Sequence, residues 1–244
     1  MSAINLNSLT SYVIQKFGFS IKCLDLIAGL DEAGRGSVIG PMVIAGVSVS
    51  EEDIEKLTEI NVRDSKELRP VDRESLYEEI VKIAKALKVI NLSAREVDSE
   101  TRRSGGRGIN NLEARIFADI IDYLKPDIVY IDSPSKNVEA FRSIIDKMVR
   151  YRCRVIVEVK ADKNYPVTAA ASIIAKINRD REIEKLKERF GDFGSGYPHD
   201  HKTREFIRKV MSSRSEAVEL IRWSWKTISR VAQTTLEEYS SDLS

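Results

Sequence analysis

The chain has 244 residues and a mass of 27.6 kDa, and at 42% hydrophobic and 32% charged it carries enough apolar side chain for a core beneath a well-solvated surface. Its 39 Lys and Arg offset 38 Asp and Glu to a formal charge of +1, which excludes a polycation or an acidic disordered chain and leaves only a local patch for any nucleic acid. Cys23 and Cys153 make no disulfide framework and no zinc spacing, no apolar run is long enough to span a membrane, and residues 1–22 lack a secretory leader's pattern, so a reducing, cytoplasmic setting is expected.

Residues 1–24 are mixed in composition, with a weakly amphipathic stretch at Tyr12, Val13 and Phe17, and read as an N-terminal extension. From Leu26, LIAGLD predicts a short buried strand; PMVIAGVSVS from Pro41 predicts a longer one, buried on both faces and forming a hairpin-like pair with the first. Leu76, Ile80, Ile83 and Leu87 fall on a helical stripe, so a helix is expected over 72–87 with Asp72 as N-cap, then a strand in KVINLS. The polar SETRRSGGRG, 99–108, shows no period and reads as a flexible loop.

Leu112, Ile116, Ile120 and Leu124 mark the next helix, stopped by Pro126; DIVYID is a strand ending at Asp132. A helix over 137–151 leads into the strand RVIVEV, and Pro166 starts a long helix through Phe190 that Gly191 closes. Strands alternating with helices predict an α/β layer fold over 25–193 with a mixed sheet. Residues 194–230 read as a smaller helical C-terminal module completing the cleft, and 231–244 as a polar tail.

Three strands end in acid: Asp31 with Glu32, Asp132, and Asp162. Sites form at strand ends of open α/β sheets, and four carboxylates gathered there would repel one another unless hard cations such as Mg²⁺ or Mn²⁺ sat among them. Two such ions suit in-line displacement at a phosphodiester. Taken singly, an Asp after a strand is as readily a turn residue or a helix N-cap. Neighbouring strand residues also face opposite ways, so joint use of Asp31 and Glu32 requires the strand to break there, which Gly34 and Gly36 would allow.

Read in order, GLDEAGRGSVIGP (29–41), DSKEL (64–68), YID (130–132), KADKNYPVTAAASIIAK (160–176) and GSGYP (194–198) resemble the type 2 ribonuclease H family, ribonuclease HII, in a form closer to archaeal and eukaryotic catalytic subunits than to bacterial ones. The resemblance implies a ribonuclease H-like fold with a mixed five-stranded sheet flanked by helices. It implies a monomeric endonuclease that cuts the RNA strand of RNA–DNA hybrids, and DNA duplexes at embedded ribonucleotides, using two Mg²⁺ or Mn²⁺ ions and leaving 3′-OH and 5′-phosphate ends. Asp31, Glu32, Asp132 and Asp162 match the family's catalytic metal-ligand positions. Gly34, Arg35 and Gly36 match the segment that reads the ribose 2′-OH, and Tyr197 the tyrosine that stacks on the following deoxyribose.

Chemistry agrees with those roles, since only RNA presents a hydroxyl that both donates and accepts, and glycines let backbone approach it. Tyr197 could equally be a core tyrosine on sequence grounds. Arg35 and Lys66 are candidate phosphate contacts, and residues 199–230 carry eight Lys and Arg against four Asp and Glu, an excess suited to a duplex backbone. Trp223 and Trp225 read as anchors of the C-terminal module. In the tail, Gln233, Leu236 and Tyr239 resemble a sliding-clamp-binding peptide whose second aromatic is replaced by Ser240. Two rival readings stand: another metal-dependent nuclease of the same fold, a resolvase or exonuclease, or a non-catalytic hybrid-binding subunit.

Overall fold

A computed structural model describes residues 26–62, 70–103, 108–213, 215–226 and 228–229. Five strands, β1 (Ile27–Ala33), β2 (Met42–Val49), β3 (Ala86–Leu92), β4 (Ile128–Asp132) and β5 (Arg154–Glu158), form one sheet in the order β3-β2-β1-β4-β5. β2 lies antiparallel between β1 and β3, while β4 and β5 run parallel to β1, so the expected mixed five-stranded sheet is present with β1 at its centre.

Eight α-helices among the described residues cover it: α1 (Ile54–Glu59), α2 (Pro70–Ile83), α3 (Ala94–Arg103), α4 (Gly108–Leu124), α5 (Val138–Asp146), α6 (Ala161–Asn164), α7 (Pro166–Phe190) and α8 (His201–Met211). The strands alternate between two apolar layers, which is why β2 is buried throughout. Met42 and Ile44 join Phe117 and Ile120 of α4 and Phe141 of α5 on one face. Val43, Ala45 and Val47 join Val167, Ala170 and Ile174 of α7 on the other. The approach of α7 to β1 is close enough that a Cβ on Gly29 would lie 2.3 Å from the Val167 carbonyl carbon and 2.4 Å from the Thr168 nitrogen. A third cluster joins Val38 and Ile39, in the β1–β2 connection, to Phe193, Ile207, Leu220 and Ile221, with Trp223 and Trp225 partly buried at its margin.

Three expected elements have different bounds. The helix expected to reach Leu87 ends at Ile83; Lys85 N–H donates to the Ser48 carbonyl, and Leu87, on β3, pairs with Val47 of β2. The stripe misled because Leu87 meets the same apolar layer as Leu76 and Ile80 from a strand. Residues 94–103 are helical where the polar text suggested a loop from 99. Ser93 opens α3 in a reciprocal cap with Glu96, and Ala94, Val97, Asp98 and Thr101 form its buried face, with two polar members hiding the period. The helix expected to reach 151 stops at Asp146, after which the backbone N–H groups of Arg150 and Tyr151 donate to Asp122 on α4 and draw the chain away. Among the described residues no helix is long and apolar enough to cross a membrane.

Candidate active site

β1, β4 and β5 run parallel and deliver their C-terminal ends to one edge. Asp31 lies on β1, Asp132 is the last residue of β4, and Asp162 follows β5 after Lys160, whose left-handed backbone (φ 62°) turns the chain into α6. One carboxylate oxygen from each of the three lies within 4.8 Å of the others. The Ala161 N–H donates to Asp132 Oδ1 at 2.9 Å, tying the end of β4 to the turn that carries Asp162. Asp31 Oδ1 accepts from the Glu32 N–H at 2.7 Å, and the Ser172 hydroxyl of α7 also bonds the Asp31 carboxyl. Burial, then the charges of Asp132 and Asp162, push Asp31 up from 3.8 to about 7. Such a cluster takes up a proton or a hard divalent cation, and buried all-oxygen donors suit Mg²⁺ or Mn²⁺.

The break expected between Asp31 and Glu32 does not occur. β1 pairs regularly through Ala33, with Asp31 opposite Ala45 and Glu32 opposite Ile44, because the turn begins one residue later at Gly34 (φ 81°). Glu32 therefore leaves the opposite face of β1 and lies outside the trio of aspartates. Burial, then the charges of Asp31 and Glu113, hold its pKa well above the ordinary carboxylate value, against the opposing pull of Arg35. Its buried Oε2 has no hydrogen-bond partner among the described residues.

Beyond β1, Gly34 turns where a Cβ would fall 2.5 Å from Arg179 Nε and 2.6 Å from the Pro41 carbonyl. The Arg35 side chain folds onto α4, with Nε donating to Glu113 Oε1 at 2.8 Å and Nη2 to Asn110 Oδ1 at 2.7 Å. Glu113 is fully buried, and that burial, only partly offset by Arg35, raises it to about 7. Gly36 is exposed, and a Cβ there would come within 3.9 Å of Tyr197 Cε1, so the two segments expected to read sugars are neighbours. The Tyr197 ring is half-buried, with the Arg179 guanidinium 4.8 Å from its centroid on one side and His199 stacked at 5.8 Å.

Sequence reasoning missed Glu113, Asn110, Ser172, Arg179 and Arg222. The one available signal was a pair of polar residues, Asn110 and Glu113, three apart within the apolar text of α4. Of the basic residues in 199–230, Arg222 is wholly interior, and Arg204 donates to the Pro198 and His199 carbonyls. Lys66, Gln233, Leu236 and Tyr239 lie outside the described residues.

Residues 28–228 match the family model described as Ribonuclease HII. The ribonuclease HII of Pyrococcus furiosus is 42% identical over 210 residues, spanning 85% of this chain and 92% of that protein. The crystal structure of ribonuclease H2 from Pyrococcus horikoshii OT3 superposes with a TM-score of 0.78 at 39% identity, covering 86% of this chain and 98% of that one. Archaeoglobus fulgidus RNase HII, in its complex with PCNA, superposes with a TM-score of 0.74 at 44% identity, covering 82% and 95%.

Proposed function

The chain belongs to the ribonuclease HII family, hydrolases that cut the RNA of RNA–DNA hybrids, and we propose that its site also incises DNA duplexes at embedded ribonucleotides by a two-metal-ion route. The observation that carries this reading is the meeting of three aspartates, two of them buried, where parallel strands end, with Asp31 just before a glycine turn that lies beside Tyr197. Asp31, Asp132 and Asp162 would hold the divalent cations. Glu32 completes the set from the other face of β1, and its unpartnered buried oxygen fits a group that awaits a cation. When bound, Mg²⁺ or Mn²⁺ lowers the pKa of the attacking water and stabilises the leaving 3′ oxygen of the in-line displacement.

The chain's own residues supply placement. The Asp132–Ala161 and Asp31–Ser172 bonds keep the carboxylates at fixed spacing before substrate arrives, so little reorganisation is needed when charge develops. The backbone of residues 34–36 meets the ribose 2′-OH, at a turn where Gly36 is exposed and carries no side chain. Tyr197 packs on the next sugar, and an added hydroxyl there would clash with the ring. Water attacks phosphorus, the bond to the 3′ oxygen breaks, and the products carry 3′-OH and 5′-phosphate ends.

Lys66 is proposed as a phosphate contact. The tail residues Gln233, Leu236 and Tyr239 are proposed to bind a sliding clamp, a reading supported by the A. fulgidus complex. The test is cleavage of four 5′-labelled duplexes, all-DNA, all-RNA, RNA–DNA hybrid, and DNA with one ribonucleotide, with and without Mg²⁺. Cutting of the last two alone, dependent on metal and lost in Asp132→Asn, is the expected result; an uncut single-ribonucleotide duplex would remove the incision activity.

A further inference from the structure

The connection between β1 and β2 is held by the C-terminal segment through its carbonyls. Arg222 is fully buried, yet its guanidinium donates to two carbonyls of this connection, Nη1 to Arg35 at 2.9 Å and Nη2 to Gly40 at 3.0 Å. Its own N–H donates to the Val38 carbonyl at 2.9 Å, and the Trp225 indole N–H donates to the Ser37 carbonyl. The Gly34 carbonyl accepts from Ser37, through both N–H and hydroxyl. Five carbonyls in a seven-residue stretch are thus engaged from the protein side, and peptide planes so held cannot rotate. The N–H groups of Arg35 and Gly36, in contrast, donate to no acceptor among the described residues. The same brace reaches the second sugar reader, because Val38 and Ile39 N–H both donate to the Gly196 carbonyl, next to Tyr197.

A buried guanidinium is costly, and here desolvation and the neighbouring Arg179 lower the Arg222 pKa to about 9, with no carboxylate among the described residues bonded to it to compensate. A hydrophobic residue would fill such a site at lower cost, but it could not cap two carbonyls five residues apart with one planar fork.

We infer that Arg222, backed by Trp225, is the positioning residue for 2′-OH recognition: it orients the peptides of residues 34–36 so that their N–H groups face the ribose. The inference rests on the reading of that segment as the 2′-OH contact. It predicts that Arg222→Lys, which keeps the cation and loses the fork, damages discrimination at the sugar and leaves the aspartate cluster working. The probes are a DNA duplex with one ribonucleotide and the same duplex with 2′-deoxy-2′-fluoro at that position, which cannot donate. The readouts are kcat/KM on each and the thermal shift produced by Mn²⁺. Misplacement by about 1 Å can cost on the order of 100-fold, so the ratio of the two kcat/KM values should narrow by roughly tenfold or more, with the Mn²⁺ shift retained.

If the wild-type protein cuts both duplexes equally, the reading of residues 34–36 fails and the inference falls with it. If the wild type discriminates and Arg222→Lys keeps that ratio, or loses both activities in proportion, Arg222 is structural only and the inference alone is overturned. Should Arg222→Lys not fold, Trp225→Phe, which removes one carbonyl donor and keeps a ring, decides the matter: it is expected to narrow the ratio by a smaller factor, and an unchanged ratio overturns the brace.

Discussion

Replacing Asp31 by asparagine should stabilise the metal-free protein while ending its nuclease activity. Asn keeps the Oδ1 that accepts from the Glu32 N–H, but it carries no charge toward Asp132 and Asp162. An acid raised in the folded state weakens the fold as pH climbs: below about 4 both states hold the proton, from there to about 7 only the folded state does, and above 7 the full cost stands. The rise from 3.8 to about 7, at roughly 1.4 kcal/mol for each unit of pH, sets an upper bound on the order of 4 kcal/mol. For a chain of this size each kcal/mol moves Tm by about 2–4 °C. Thermal unfolding in EDTA should therefore show Asp31→Asn melting several degrees above wild type at pH 8, with the gap closing toward pH 4.5. Adding Mn²⁺ should raise the wild-type Tm and narrow or reverse the gap. A difference that does not vary with pH, or a variant less stable than wild type at pH 8, would refute the account of mutual repulsion.

Tyr197→Ala should lower cleavage at a single embedded ribonucleotide more than cleavage of a continuous hybrid, with Tyr197→Phe milder; equal losses in steady-state assays would assign the ring to structure. Gly29→Ala places a methyl against the backbone of α7, which cannot swing aside, so a loss of about 1–3 kcal/mol or more and a Tm lower by several degrees are expected. An unchanged melting curve would mean that α7 yields freely. For the tail, a peptide of residues 229–244 should bind the cognate clamp, and Leu236→Ala with Tyr239→Ala in the full chain should abolish binding without altering hydrolysis of a short hybrid. Calorimetry showing no heat and no competition with a clamp ligand would exclude it.

The layered sheet was legible because its strands are short apolar runs and α7 is bounded by Pro166 and Gly191, all local signals. The bounds of α2 and α3 were not, since one strand continued a helical stripe and one helix buries Asp98 and Thr101. The acids stood out at strand ends, but where Glu32 faces depended on a register that only pairing with β2 fixes. Arg35 looked like a free phosphate ligand because nothing near it in sequence is acidic except residues of its own strand; its partners, Asn110 and Glu113, lie on α4. Arg222 looked like surface charge for the same reason, as its acceptors precede it by more than 180 residues.

That last separation has a consequence for how the protein is made. The three aspartates are all present once residue 162 has left the ribosome, but among the described residues the carbonyls of residues 35, 37, 38 and 40 obtain their donors from residues 222 and 225. Synthesis therefore delivers the hydrolytic cluster before the brace that orients its sugar reader, and a chain cut short after α7 would hold acids capable of binding metal beside a turn with its carbonyls uncapped. On the proposed reading, selectivity for the sugar follows hydrolytic capacity in the order of synthesis.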